Sequence, residues 1–230
     1  MNYVILNGKN SNTIKGLIIQ ELPPITKPGM AVSTTTIDGR DGDIQDYLGF
    51  NAYDKTISIG LHGNYDIDEV IDFFHGKGQA IFSNEPDKYY NYSIYAQMDY
   101  ERLIKFRTAK VKLHVQPFKY LVSEKIIDKT ITTETQIKVN NLGLQKCKPI
   151  FTLYGIGNIE ILIDSVAVFE VEIDDDYICI DSLIEEACKG SVLKNRNMIG
   201  EFPMLDIGER TITWNGNLTR IIIEPKSRWL

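Results

Sequence analysis

Hydrophobic and polar residues alternate with a period of two along most of this chain. The clearest alternating runs are residues 57–61, 109–115 and 169–173. Such alternation predicts strands of antiparallel sheets, because successive side chains point to opposite faces of a sheet that buries only one of them. The same criteria predict further strands at residues 17–20, 31–37, 92–98, 150–154, 159–163, 178–180 and 218–223. The chain is therefore predicted to be mainly β.

One segment instead shows helical spacing. Asp66 is a good N-cap residue, Glu69 follows three residues later, and Gly76 provides a stop. Between them, apolar residues fall at i, i+3, i+4 and i+7, namely Ile67, Val70, Ile71 and Phe74. This pattern predicts one short amphipathic helix packed on a sheet. Residues 182–189 also have helix-compatible spacing, but a polar stretch adjoins them, so they are predicted to be irregular.

The chain length of 230 residues accommodates two domains. A long predicted strand ends near Tyr120, and residues 123–135 are rich in Lys, Glu, Asp and Thr. We therefore predict a boundary there, with a first domain at 1–122 and a second at 123–230. Both are expected to be β-sandwiches, the first with one flanking α-helix.

Charge and composition exclude several classes of protein. The 25 basic and 31 acidic residues give a net charge of −6 without any basic cluster, which disfavours nucleic-acid binding. No apolar run is long enough to cross a membrane, and the first residues lack the basic leader of a signal peptide, so synthesis in the cytoplasm is expected. Three cysteines without Cys-x-x-Cys spacing argue against a disulfide framework and a zinc site: Cys147, Cys179 and Cys188.

Clustered acidic residues are the main candidates for catalysis or metal binding. They are Asp174-Asp175-Asp176 and a group made of Asp38, Asp41, Asp43 and Asp46. Asp is favoured at turns between strands, and the second group lacks the order of a calcium-binding loop. The three histidines, His62, His75 and His114, are far apart in sequence, and no nucleophile motif accompanies them. We therefore assign no catalytic, metal or cofactor-binding residue.

Tyrosines are dense between residues 89 and 100, at Tyr89, Tyr90, Tyr92, Tyr95 and Tyr100. Tyr92 shares its predicted strand face with Ile94, Ala96 and Met98 and is expected in the core, whereas Tyr95 points the other way. Exposed tyrosine is common at protein interfaces, and it also stacks on sugar rings.

Several turn and strand motifs follow one another in a characteristic order. Gly39-Arg40-Asp41-Gly42 comes first, then Ser83-Asn84-Glu85-Pro86-Asp87-Lys88-Tyr89-Tyr90, then a strand from Val111 to Tyr120 with Pro117 and Phe118. The C-terminal part continues with Gly200-Glu201-Phe202-Pro203 and Asp206-Ile207-Gly208, then Thr211 to Gly216, Ile221 to Pro225, and Arg228-Trp229-Leu230. Over nearly its whole length the chain thus resembles the siphophage distal tail protein family.

This resemblance implies a non-enzymatic virion protein of a phage or prophage-derived particle. In that family a homo-hexameric ring joins the tail tube to the baseplate and lets DNA pass, with the tail-tube protein, the tail-associated hub protein and, in many phages, receptor-binding proteins as partners. The first domain would be tail-tube-like and form the ring, the second galectin-like or carbohydrate-module-like and peripheral. The last residues, Trp229 among them, are a candidate anchor on the first domain.

Two other functions remain open at this stage. A β-sandwich carbohydrate-binding protein for host attachment is the main alternative, which the second domain alone would suggest. The residues from 128 to 230 contain only Trp214 and Trp229 as tryptophans, which disfavours a high-affinity glycan site. A glycan-cleaving enzyme has the least support, because no acid and base pair can be singled out.

Overall fold

Strands make up most of the chain, which confirms the prediction of a mainly β protein. The computed structural model describes residues 1–97 and 100–230. Residues 1–122 together with Leu230 form one compact unit, and residues 123–229 form a second. Among the described residues, no helix is both long enough and apolar enough to cross a membrane.

The described part of the first unit contains nine strands. Seven of them pair in the order β2-β1-β7-β8-β9-β6-β3, and the other two, β4 and β5, form a separate hairpin. The strands are β1 Val4–Leu6, β2 Lys9–Asn10, β3 Leu17–Glu21, β4 Met30–Thr36, β5 Asp43–Phe50, β6 Tyr53–Leu61, β7 Gly76–Phe82, β8 Lys88–Ile94 and β9 Thr108–Leu121. The inward phases of β6 and β9 supply much of the core, with Ile57, Ile59, Val111, Leu113 and Val115 buried.

Two helices accompany this sheet within residues 1–97 and 100–122. The predicted helix α1 spans Ile67–Phe73, and the Asp66 carboxylate accepts hydrogen bonds from the backbone amides of Asp68 and Glu69 at its start. Its buried face differs from the prediction, because Phe73 is buried whereas Ile71 is 37% exposed. The second helix, α2 at Tyr100–Phe106, was not predicted, and it buries Leu103.

The second unit contains the other ten strands. They are β10 Ile127–Thr130, β11 Gln136–Asn141, β12 Ile150–Ile163, β13 Val166–Ile173, β14 Tyr177–Asp181, β15 Glu186–Lys189, β16 Val192–Leu193, β17 Met198–Gly200, β18 Gly208–Glu224 and β19 Arg228–Trp229. The long strands β12 and β18 pair along nearly their whole length. On one half of this pair lie β10 and β14, and on the other half lie β11 and β13.

Glycines lie where the register of the long pair shifts, and an irregularity of this kind bends the strands. The register of β12 against β18 shifts between Tyr154 and Gly155 and again between Ile156 and Glu160. A Cβ on Gly155 would lie 2.4 Å from the carbonyl oxygen of Asn217, and one on Gly216 would lie 2.3 Å from that of Asn158. Side chains from both halves join one buried cluster, for example Phe151 and Phe169, whose rings meet edge to face.

Several predicted boundaries differ from the structure. Strand β8 ends at Ile94, before the predicted end at Met98, which lies outside the described residues. The polar stretch 123–135 contains β10, because Ile127 packs against the core of the second unit. Residues 182–189, predicted to be irregular, form a turn followed by β15. The two strands predicted at 150–154 and 159–163 are a single strand, β12.

Candidate assembly surface

The hairpin of β4 and β5 is the most exposed ordered element of the first unit. Its register runs from Met30 opposite Phe50 to Thr36 opposite Asp43, with an irregularity after Ala31. The two strands form a sheet of their own, and nearly every residue in them is exposed. Such a hairpin is marginally stable in water by itself.

Apolar side chains lie along this hairpin. Tyr47 is 66% and Leu48 is 71% exposed, and Met30, Val32 and Ile44 are exposed as well. At the tip, Gly39 and Gly42 have positive φ angles of 80° and 78°, a conformation that glycine adopts without strain. Exposed apolar side chains on a protruding element are typical of a surface that another protein covers.

The segment that leads into the hairpin is held through its backbone carbonyls. Residues 22–29 contain three prolines and no regular secondary structure. Lys55 Nζ donates to the carbonyl of Pro24 at 3.0 Å, and Asn84 Nδ2 donates to that of Pro23 at 3.1 Å. On the other side of the hairpin base, the ring of Phe50 meets that of Phe118 of β9 edge to face at 5.6 Å. These contacts fix the base of the hairpin to the main sheet.

A buried charged cluster supports this base. Lys119 Nζ lies 2.6 Å from Glu85 Oε1, and the Tyr90 hydroxyl donates to Glu85 Oε2 at 2.7 Å. Lys55 is 3% and Lys119 is 7% exposed, and the Lys55 ammonium lies 4.8 Å from the centre of the Tyr90 ring. Buried charges are tolerated where hydrogen bonds and opposite charges compensate the loss of water, as they do here.

The pKa values in this cluster are shifted. Burial lowers the pKa of Lys55 to about 8, against the opposing influence of the Glu85 charge. Burial by itself would raise the pKa of Glu85, but hydrogen bonds from Lys119 and Tyr90 outweigh it, so that the pKa is lowered. Glu85 is therefore a carboxylate at neutral pH, and it is the counter-charge of the two lysines.

The architecture matches that of a known phage protein. The crystal structure of SPP1 Dit, described as a paradigm of the hub adsorption apparatus in phages that infect Gram-positive bacteria, aligns with 100% of this chain and 100% of its own at a TM-score of 0.72 and 15% identity. This chain has the Dit fold. The resemblance of the sequence to the distal tail protein family is thereby confirmed at the level of the fold.

Other comparisons are weaker. A chain in the baseplate of phage P2, in its activated conformation with calcium, is 9% identical and matches over 97% of this chain and 98% of its own, with a TM-score of 0.45. No protein-family model and no curated protein sequence matches the chain significantly.

The acidic clusters occupy ordinary structural positions in this Dit fold. Asp174 pairs with Lys194 at 3.0 Å and Asp175 with Lys189 at 2.7 Å, while Asp176 has the positive φ of a turn residue. Asp41 lies in the hairpin loop, whereas Asp43 and Asp46 belong to β5. Within residues 1–97 and 100–230, no group of three His, Cys, Asp or Glu side chains is arranged to hold a metal ion.

The histidines lie on separate elements. His114 Nδ1 is 2.9 Å from Asp54 Oδ1 across the β6–β9 pair, which places it on the polar phase of β9 as predicted. Hydrogen bonds from Lys112 and His114 lower the pKa of Asp54. His75 follows the C-cap of α1, and His62 follows β6, where its backbone amide donates to Gly16.

The predicted burial of Tyr92 is confirmed, but the alternation does not extend past Ile94, because Ala96 is exposed. Tyr92 is 4% exposed and belongs to the core, whereas Tyr95 is 74% exposed and meets the His114 ring edge to face. Tyr89 stacks on Tyr120 at 5.5 Å, while Tyr100 begins α2. In the second unit, Trp214 packs against the core.

Neither the lysine cluster nor strand β5 was predicted from the sequence. A signal for Lys55 exists, because it shares the inward phase of β6 with Ile57 and Ile59, and a lysine in that phase needs a buried partner. Strand β5 carries no such signal, since Asp43-Ile44-Gln45-Asp46-Tyr47-Leu48 does not alternate.

Proposed function

We propose that this chain is a structural protein of a phage tail that assembles as a closed hexameric ring between the tail tube and the baseplate. The observation that carries this proposal is the match to SPP1 Dit over the whole of both chains. A protein with this role contacts the tail-tube protein on one side and the tail-associated hub on the other, and DNA passes through the ring. Receptor-binding proteins would dock on its outer surface.

The first unit forms the ring in this proposal, and the β4–β5 hairpin supplies a principal subunit contact. A head-to-tail contact between identical subunits gives a ring only when the rotation at each contact brings the last subunit back to the first, which requires that the contacting element is held at a fixed angle. The carbonyl contacts at Pro23 and Pro24 and the Phe50–Phe118 pair provide that fixed angle. The exposed Tyr47 and Leu48 supply apolar area for the neighbouring subunit to cover.

The second unit is peripheral in this proposal, and the protein has no enzymatic role. Its most concentrated carboxylates, at Asp174 and Asp175, are engaged by lysines at a turn rather than paired across a cleft.

The particle mass tests the ring directly. Six copies of a 26.2 kDa chain give about 157 kDa, which mass photometry resolves from a monomer. Negative-stain images of the same sample are expected to show six subunits around an open axis. A strict monomer at every concentration, in both measurements, would contradict the proposal.

Two matched variants locate the contact. Replacing both Tyr47 and Leu48 by serine removes the most exposed apolar side chains of the hairpin, and we expect the particle to fall to the monomer mass with its circular dichroism unchanged. Ile199→Ser is the control, because Ile199 is 73% exposed in β17 of the second unit. Rings that persist in the hairpin variant but disappear in the control would place the subunit contact in the second unit.

A further inference from the structure

Two cysteines of the second unit face each other across neighbouring strands. In the antiparallel pair of β14 and β15, Cys179 lies directly opposite Cys188. Directly opposed residues project their side chains to the same face of a sheet, with Cβ atoms about 4.5 to 5.5 Å apart. On its other side, Cys179 lies directly opposite Thr152 of β12.

This pair lies on the side of the sheet that faces away from the core. Ile178 and Ile180, which flank Cys179, are buried, and so is Ala187 beside Cys188. The two cysteines themselves are only partly buried, so a small reagent can reach them from solvent. Cys147 is different, because it is fully buried and burial raises its pKa to about 12.

The spacing suits a covalent bond. A disulfide requires Cα atoms roughly 4.4 to 6.8 Å apart, and opposed residues of an antiparallel pair have Cα atoms about 4.5 or 5.5 Å apart. The strands therefore need little movement to bring the two sulfurs to bonding distance. All three cysteines are free thiols in the structure, so the bond would be a modification of the folded protein.

We propose that Cys179 and Cys188 are a modification site, at which a low-molecular-weight disulfide oxidises the two thiols to a reversible disulfide between β14 and β15. One cysteine, as its thiolate, attacks a sulfur of the reagent, breaks the reagent's S–S bond and forms a mixed disulfide. The second cysteine, as its thiolate, then attacks the protein sulfur of that bond. The two protein thiols lose two protons and two electrons, and the reagent leaves as two thiols.

Burial controls the speed of this exchange. It raises the pKa of Cys179 to about 11, and only the thiolate is a nucleophile, so little of the reactive form of Cys179 exists at neutral pH. Oxidation is expected to accelerate as the pH rises from 7 to 9. The bond would remain open in a reducing cytoplasm and close outside the cell. That biological setting rests on the proposed function, whereas the chemistry does not.

The bond would fasten the edge of the sheet. Strand order in this layer ends with β14, β15 and the two-residue strand β16, and only the turn 182–185 connects β14 to β15. A covalent link between these strands prevents the edge from opening. The oxidised protein should therefore melt a few degrees above the reduced protein.

Peptide mapping of the purified full-length protein tests the site. The reduced protein is incubated with oxidised glutathione, its remaining thiols are alkylated, and it is digested without reduction. No Lys or Arg lies between residues 179 and 188, so trypsin leaves both cysteines in one peptide, whereas a glutamyl protease cuts between them at Glu185 and Glu186. We expect two glutamyl peptides joined by a disulfide, with Cys147 alkylated only after denaturation.

Single variants separate this result from general oxidation. Cys147→Ser should form the same cross-link, whereas Cys179→Ser and Cys188→Ser should lose it and carry one glutathione adduct instead. The proposal is overturned if the unaltered protein carries glutathione on both cysteines without a cross-link, or if the cross-link involves Cys147. Neither result depends on the oligomeric state, so ring formation is tested separately.

Discussion

At the scale of single residues, Lys55 is an unusual member of the core. It stands in the buried phase of β6, where a charged ammonium loses nearly all of its water. The carbonyl of Pro24 accepts a hydrogen bond from Lys55, and the carboxylate of Glu85 supplies an opposite charge, but burial outweighs that charge and lowers the pKa of Lys55. Burying Lys55 therefore lowers the stability of the folded chain, while its hydrogen bond to Pro24 holds the segment that leads into the β4–β5 hairpin.

The lowered pKa of Lys55 predicts that the free energy of unfolding depends on pH. The folded pKa of Lys55 is about 8 and the ordinary value is 10.5, so between these values the unfolded chain binds more protons than the folded one. Stability should therefore rise with pH in that window, and the penalty is fully present below pH 8. Between pH 7.5 and 9.5 we expect Lys55 to contribute a gain of about 2 kcal/mol.

The measured quantity is the difference in unfolding free energy between the unaltered chain and a variant without Lys55. Urea unfolding of the unaltered chain and of Lys55→Met is compared across that pH window, which stays below the usual tyrosine pKa, so that other titrations cancel. The gain should be present in the unaltered chain and absent from the variant. Parallel curves for the two proteins would show that Lys55 keeps an ordinary pKa in the folded state.

At the scale of elements, the two helices show what sequence can predict. Helix α1 was predictable because Asp66 is a cap and the apolar residues that follow have helical spacing. Helix α2 is only seven residues long and buries one side chain, Leu103. Short helices owe their stability to tertiary packing, which leaves little trace in the local pattern.

In the long strands β12 and β18, the sequence predicted a break where the structure has none. Gly155 and Gly157 interrupt the alternation, so one strand was predicted as two. The glycines do not end the strand, because hydrogen bonds to β18 resume at Glu160 after the shift in register. Sequence shows the interruption, but only pairing along the whole length shows that the strand continues.

We predict that Gly216 is required for the bend in these two strands. It has a φ of 109°, and an added Cβ would lie 2.3 Å from the carbonyl oxygen of Asn158. Gly157 is the matched control, since it also has a positive φ but has open space around it. Gly216→Ala should destabilise the protein by about 2 kcal/mol more than Gly157→Ala, which is roughly a 5 °C lower melting temperature. Equal melting temperatures would mean that the backbone relaxes at little cost.

At the scale of the whole molecule, the order of motifs carried more information than any one motif. The turn at residues 39–42 and the strand from Val111 to Tyr120 are each common in β proteins, yet their sequence of appearance led to the fold that the comparison with SPP1 Dit confirms. The proposed subunit contact could not be predicted in the same way. It depends on the exposure of Tyr47 and Leu48, and exposure is a property of the folded chain.

Net charge gives a further prediction at this scale. With a charge of −6 and no basic cluster, the protein should not bind duplex DNA even at about 50 mM salt, although DNA passes through the proposed ring. Fluorescence anisotropy of a labelled duplex is expected to stay at its free value. Replacing Asp38 and Asp41 by lysine beside Arg40 builds a basic cluster and should produce weak, salt-sensitive binding. Salt-sensitive binding by the unaltered protein would contradict a passive channel.

The first strand of the second unit, β10, lies beside its last long strand, β18. Ile127 of β10 is paired with Ile223 of β18, so the chain enters and leaves this unit at the same corner. In topological terms, the two ends of this unit are adjacent. A module attached in this way can be lengthened, trimmed or exchanged for another without changing the distance between the points that hold it. Evolution can therefore vary what this protein presents on that unit while the rest of the chain stays the same.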